Sequence, residues 1–187
     1  MKKLVNRLDK LCDSLPFQTS WHLQHLVTGE RADRMGDVPV PSASTRKISI
    51  LMAALKAVSQ GKLDLGQRVT PFRDALVQMI IVSDNTCTGT VVDLVGLDSV
   101  RNYCEEIGLT RTVHRFGIPP RLGREHTLEQ VTTTTPSDQV VLLALILRAT
   151  TDSDVAARLG VTTELARLGL DILSWQKLKT RLDALGK

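Results

Sequence analysis

Ser44-Thr45-Arg46-Lys47 sets a hydroxyl and an amine three positions apart, which on a helix puts them one turn from each other on the same face. A lysine whose pKa is lowered by burial or neighbouring charge can then take the serine proton and release a nucleophile. Free N–H groups at the helix N-terminus would stabilise an oxyanion forming on a bound carbonyl. Ser59 to Lys62 and Ser174 to Lys177 show the same spacing, but the first straddles Gly61, a helix stop, and the second falls on a solvated amphipathic pattern. Only Ser44 follows a non-helical Pro41-Ser42-Ala43 and precedes a strongly apolar helix. On spacing alone Ser44 reads first as an N-cap serine, a role for which serine is strongly preferred. Ser83-Asp84-Asn85 changes that balance, because a three-residue match of this kind is expected by chance in only roughly a few per cent of such chains. Its plainer reading is a helix end with polar caps.

The elements that must position these residues follow from apolar spacing. Ile48, Leu51, Met52, Leu55 and Val58 recur at helical intervals, and Ile50, Ala53, Ala54 and Ala57 widen the apolar face over most of the surface. The pattern predicts a central buried helix that ends near Gln60-Gly61, where glycine takes the left-handed position. Thr70-Pro71 then opens a second helix, with Phe72, Ala75, Leu76, Met79 and Ile80 as its core face and Ser83 at its end. Further helices are expected at about residues 86–94, 99–107, 136–148, 163–173 and 176–185. Residues 21–27 alternate as a strand and turn at Thr28-Gly29-Glu30, and a second extended segment follows at 37–41, its prolines confining it to an edge or loop. Residues 1–10 read as an amphipathic helix with Leu4, Leu8 and Leu11 on one side. Residues 110–135, with Gly117, Pro119, Pro120, Gly123 and a four-threonine run, lack periodicity and read as a functional or Ω-type loop.

The chain has 187 residues, 42% of them hydrophobic and 3% aromatic, so one soluble domain spanning 1–187 is expected, its helical part at about 44–185. The longest apolar run, 140–147, falls well short of the roughly 18 residues of a membrane span. Lys and Arg exceed Asp and Glu by 24 to 20, in no like-charged block and without interleaved aromatics, which argues against nucleic acid as a partner. The N-terminus has a signal's positive charge but not its apolar stretch, so a signal peptide is either absent or already removed. Cys12, Cys87 and Cys104 are odd in number and read as buried or free thiols, Cys87 following the Ser-Asp-Asn triplet closely enough to lie near a cleft. His22, His25, His114 and His126 lack metal-ligand spacing and read as surface or hydrogen-bonded histidines. No cofactor or metal is expected. Trp175 and Leu178 read as core or interface.

Ser-x-x-Lys followed by Ser-Asp-Asn is the motif order of class A β-lactamases and penicillin-binding proteins. The sequence resembles the class A β-lactamase-like serine hydrolases over residues 21–179. Beyond the two motifs, the likeness includes Gly61-Lys62-Leu63-Asp64-Leu65, Ile81-Val82 before the triplet, and Thr133-Thr134-Thr135-Pro136 closing an Ω loop. The resemblance implies an α+β fold, mainly helical around the Ser44 helix, with a reduced antiparallel sheet near the N-terminus. It implies Ser44 as acylated nucleophile, Lys47 as its proton acceptor and Ser83 as the group passing a proton toward the leaving nitrogen. Asn85 would hydrogen-bond the substrate's side-chain amide, and the Ser44 backbone N–H would form half the oxyanion hole. The substrate implied is a β-lactam or related amide or ester, and the compartment periplasmic or secreted, or cytoplasmic if this start is native.

Three departures accompany the likeness. The family's carboxylate-binding Lys-Thr-Gly strand has no counterpart, since Lys179-Thr180-Arg181 lacks the glycine and lies in a helical pattern, and the family's last strands and helix are missing. The connection between the Ser44 and Ser83 helices is short. Arg115-Phe116 matches the Ω loop's Arg-aromatic pair, but Gly117 stands where the family carries the glutamate that activates the deacylating water. Glu125 and Glu129 are the loop's carboxylates, each a substitute base or a plain solvated acid. Three readings follow: a β-lactamase-type hydrolase, a penicillin-binding or sensor protein that acylates without efficient deacylation, and a catalytically inactive helical scaffold. The missing strands also leave sheet edges through which the chain could self-associate.

Overall fold

The computed structural model describes residues 1–66, 72–117 and 127–176. Its centre is the predicted apolar helix, α2, at Arg46–Ser59, in which Ile50, Leu51, Met52, Ala54 and Leu55 are wholly buried. Removing each such leucine or isoleucine from water contributes on the order of 1.5–3 kcal/mol. Gly61, at φ 69°, ends α2 as expected, and Gly61 and Lys62 donate back to Val58 and Ala57.

Around α2 pack α3 (Phe72–Ile81), α4 (Asn85–Val95), α5 (Leu97–Glu106) and α8 (Thr163–Ser174). The buried face of α3 is Phe72, Ala75, Leu76, Met79 and Ile80, the set that its spacing predicts. The Thr70-Pro71 cap and the 176–185 helix lie outside the described residues. On α8, Gly169 lets two helices approach closely: a Cβ there would sit 3.0 Å from Leu55 Cδ1 and 3.2 Å from Met52 Sδ. A further helix, α6 at Pro136–Ala149, is capped by the Thr135 hydroxyl, which accepts from the Asp138 N–H at 3.1 Å. It packs against α8, β1 and α7 (Ser153–Arg158), the last a short helix that the spacing does not predict.

Among the described residues the sheet is reduced to two antiparallel pairs. Strand β1 (Trp21–Gln24) pairs with β2 (Arg31–Arg34), Trp21 opposite Arg34 and Gln24 opposite Arg31. This differs from the expected order, in which the next extended segment is 37–41. Gly29, at φ 73°, turns the chain tightly enough that Arg31 returns along β1 at once. The 37–41 segment instead supplies β3 (Val40–Pro41), which pairs with β4 (Thr133–Thr134) in the threonine run. Val113 bridges Thr133, so the two ends of the long loop meet, as an Ω-type loop requires.

The N-terminal helix α1 (Lys2–Asp13) is amphipathic as expected but buries none of its residues, leaving Leu4 and Leu11 50% and 49% exposed. Arg34 of β2 ties it down through Asp13 at 2.7 Å and Asp9 at 3.7 Å. No helix of the described residues is long and apolar enough to cross a membrane.

Candidate active site

Ser44 does not sit on α2. It lies in a single 3-10 turn, Ala43–Thr45, before the helix, and the N-cap is Thr45, which makes no side-chain cap bond. Ala43 holds φ 44°, a left-handed conformation that costs a non-glycine residue about 1–2 kcal/mol. Ser83, between α3 and α4, is also left-handed at φ 59°. Asp84 pins that junction, its carboxylate accepting from the Cys87 N–H at 2.6 Å at the start of α4. Hydrogen bonds there hold the Asp84 carboxyl below its ordinary range. Strain of this kind persists only where the surrounding structure fixes it, and it concentrates at functional sites.

These two turns bring the predicted residues together. The Ser44 and Ser83 hydroxyl oxygens are 2.7 Å apart. Lys47, on the first turn of α2 and 2% exposed, donates from Nζ to Ser83 Oγ at 2.9 Å, to the Ser83 carbonyl at 2.6 Å and to Asn85 Oδ1 at 3.0 Å. The connection from Ser44 to Lys47 therefore runs through Ser83. Burial lowers the Lys47 pKa, and the charge of Arg46 lowers it further. Cys87 is part-buried beside this group, and burial and then Asp84 raise its thiol pKa, so it stays protonated.

The site opens into a cleft of about 590 Å³ with Ile48, Met79, Ile80, Leu143 and Leu173 in its walls. Glu129 is not among the lining residues. It is exposed on a 3-10 turn, with its pKa lowered first by the Thr127 hydroxyl and then by its own backbone N–H. Glu125 lies outside the described residues. Among those described, no group of three or more His, Cys, Asp or Glu side chains could hold a metal ion.

Spacing gives no hint of the buried polar frame behind the site. Arg46 is 2% exposed and crosses from α2 to the Ω loop, donating to the Phe116 carbonyl at 2.6 Å and the Gly117 carbonyl at 2.7 Å. Arg115 braces the same neck, donating to the Val131 carbonyl at 2.7 Å and to Thr133 Oγ1 at 3.1 Å. Arg101 donates to the His114 carbonyl at 2.6 Å. His114 is fully buried, its Nε2 2.9 Å from Ser49 Oγ, and burial lowers its pKa to about 4. The usable signal was a lone arginine in an otherwise apolar helix, since such a residue must find buried acceptors.

A family model described as the beta-lactamase enzyme family matches residues 3–71 and 68–186. The two matched stretches meet at the short connection between the Ser44 and Ser83 helices. No curated protein matches the sequence. Solved structures resemble the whole arrangement. A variant of the class A β-lactamase of the last common ancestor of Gram-negative bacteria aligns with a TM-score of 0.81 and 22% identity, over 97% of this chain and 73% of its own. An ancestral class A β-lactamase gives 0.80 and 20%, over 98% and 75%. The β-lactamase from Sphaerobacter thermophilus DSM 20745 gives 0.76 and 22%, over 94% and 70%. At these identities the likeness is one of fold.

Proposed function

The chain belongs to the β-lactamase enzyme family, and from that premise we propose a serine hydrolase that opens a β-lactam amide, or a related amide or ester, through an acyl-ester on Ser44. The observation that carries this reading is the unbroken hydroxyl–hydroxyl–amine chain of Ser44, Ser83 and Lys47. Neutral Lys47 accepts the Ser83 proton while Ser83 accepts the proton of Ser44, and Ser44 Oγ bonds to the carbonyl carbon. The Ser44 backbone N–H supplies half of the oxyanion hole. As the carbon–nitrogen bond breaks, the proton on Lys47 returns through Ser83 to the leaving nitrogen. Lys47 holds Asn85 by its amide oxygen, which leaves the amide N–H₂ to donate to a substrate carbonyl.

One observation favours slow release of the acyl group. Hydrolysing the ester needs a base beside the attacking water, and the position that resembles the family's base is Gly117, whose carbonyl is held by the Arg46 guanidinium. Glycine there offers no carboxylate, and a Cβ at 117 would meet Val92 Cγ1 at 3.2 Å, which supports the penicillin-binding or sensor reading.

Incubation with benzylpenicillin followed by intact-protein and peptide mass spectrometry tests both. A mass gain on Ser44, absent in Ser44→Ala, is expected. Product beyond one equivalent per chain supports the hydrolase, and a stop at one equivalent supports the binder. No adduct in a folded sample overturns the nucleophile assignment.

A further inference from the structure

We propose that one end of the molecule, formed by α1 and the tip of the β1–β2 hairpin, docks on an anionic phospholipid surface, with Leu4, Leu11, Leu26 and Val27 entering the headgroup layer. This binding function is independent of the chemistry at Ser44.

Along α1 the residues sort by side. Val5, Asp9 and Cys12, at i, i+4 and i+7, are half-buried against the body, and Arg34 fixes that side through Asp9 and Asp13. Leu4 and Leu11 share the outward side, on a stripe flanked by the exposed Lys3, Arg7 and Lys10. Arg34 thus engages both carboxylates of the helix, and among the described residues none of Lys3, Arg7 and Lys10 has an ion-pair partner. An outward apolar stripe with a cationic border is the pattern of a helix that lies in the plane of a membrane surface.

A second element reaches the same end. Met1, Lys2, Lys3 and Leu4 line one cleft with His25, where the hairpin begins to turn. The tip beyond His25 presents Leu26 and Val27, which are 56% and 90% exposed. Backbone bonds brace it: the His25 N–H donates to the Glu30 carbonyl and the Gly29 N–H to the His25 carbonyl, both at 2.8 Å. Arg31, Arg148 and Arg158 line a cleft with Leu26 and Val27. The acids here are Glu30, on the turn itself, and Asp152, which is 3.8 Å from Arg148.

Apolar side chains held clear of the body gain where an apolar phase receives them. The cations around them gain where negative charge lies in the same plane. An anionic bilayer surface offers both. A second copy would offer apolar area but would bring the same cations face to face, a like-charge approach that costs affinity.

The test uses the full chain and unilamellar vesicles of phosphatidylcholine, alone or with about 30% phosphatidylglycerol. Co-sedimentation should be at least about ten-fold stronger on the anionic vesicles, and should fall sharply when salt is raised from about 0.1 M to about 0.5 M. The triple variant Lys3→Gln, Arg7→Gln, Lys10→Gln should weaken binding about a hundred-fold, or about five-fold per cation. Val27→Asp should weaken it about ten-fold and leave the circular dichroism spectrum unchanged. Lys62→Gln, Arg73→Gln, Arg167→Gln removes the same charge from other exposed positions and should change binding less than about two-fold. Equal binding to neutral and anionic vesicles, or equal weakening by the two triple variants, overturns the proposal. So does a folded chain that binds neither vesicle. A dimer in sedimentation velocity that Val27→Asp dissolves, without vesicle binding, overturns it in favour of a second copy.

Discussion

Lys47 is joined to Ser83 twice, to the hydroxyl at 2.9 Å and to the carbonyl at 2.6 Å. The second bond fixes the amine whether or not the hydroxyl is present, so the two parts of Ser83 can be separated by mutation. Ser83→Ala should keep Lys47 in place and the fold intact, yet slow acylation of Ser44 about 10²–10³-fold, the ordinary range for a lost proton-transfer group. Lys47→Ala should cost a similar factor, and the double variant little more, because the two act as one relay. Stopped-flow acylation rates decide it: a Ser83→Ala rate within about three-fold of the parent excludes a relay through this hydroxyl.

Lys47 also makes the rate depend on pH in a defined direction. Burial and Arg46 lower its pKa, so the neutral base appears at a pH below the ordinary lysine value of about 10.4. The acylation rate should climb with pH and level off once Lys47 is deprotonated. Stability should move the same way through that window, because the unfolded chain binds the proton that the folded site has released. A pH–rate profile that stays flat in Lys47→Ala but inflects in the parent confirms the assignment; an inflection unchanged by the substitution removes it.

His114 gives a second, acid-side window. Its imidazole is buried between Ser49 and the charges of Arg46 and Arg101, with its pKa lowered to about 4. The unfolded histidine protonates near 6.5, so stability contributed by keeping it neutral is complete above that value and is lost as pH falls toward about 4. The loss should reach on the order of 3 kcal/mol across the window. Urea denaturation at stepped pH should show this slope in the parent and a much shallower one in His114→Gln.

Arg46 holds two carbonyls of the Ω-loop neck with one planar guanidinium. Arg46→Met should cost about 1–3 kcal/mol, since it leaves two part-buried carbonyls without their donor. Arg46→Lys should recover only part, an ammonium being a point donor where a fork is required. Urea midpoints measure the cost. Limited proteolysis near Phe116, faster in Arg46→Met than in the parent, locates it.

The helical half of the molecule was readable because burial on a helix repeats: Phe72, Ala75, Leu76, Met79 and Ile80 all face the core that their spacing predicts. Motif order likewise named Ser44, Lys47, Ser83 and Asn85 as a group. What was not readable is what leaves no period. Strand β2 is Arg31-Ala32-Asp33-Arg34, with one apolar residue in four, and it becomes a strand only because β1 lies beside it. Helix α7 spans six residues and depends on Asp152 accepting from the Asp154 and Val155 N–H groups. Spacing put Ser44 on the helix one turn before Lys47. The left-handed turn at Ala43 moves it off, and no residue type there announces a positive φ. The anchoring role of Arg46 has no local signature, because its acceptors lie some seventy residues away in sequence.

Gly169 holds no functional group, yet it acts as a caliper. By admitting Leu55 and Met52 against bare backbone, it sets how far α8 stands from α2. Leu173, one turn further along α8, is the outer jaw of the cleft beside Ser44. The gauge of the reaction chamber is thus cut by a missing methyl in the core, and a change of one carbon at residue 169 would be felt as a change of bore at the nucleophile.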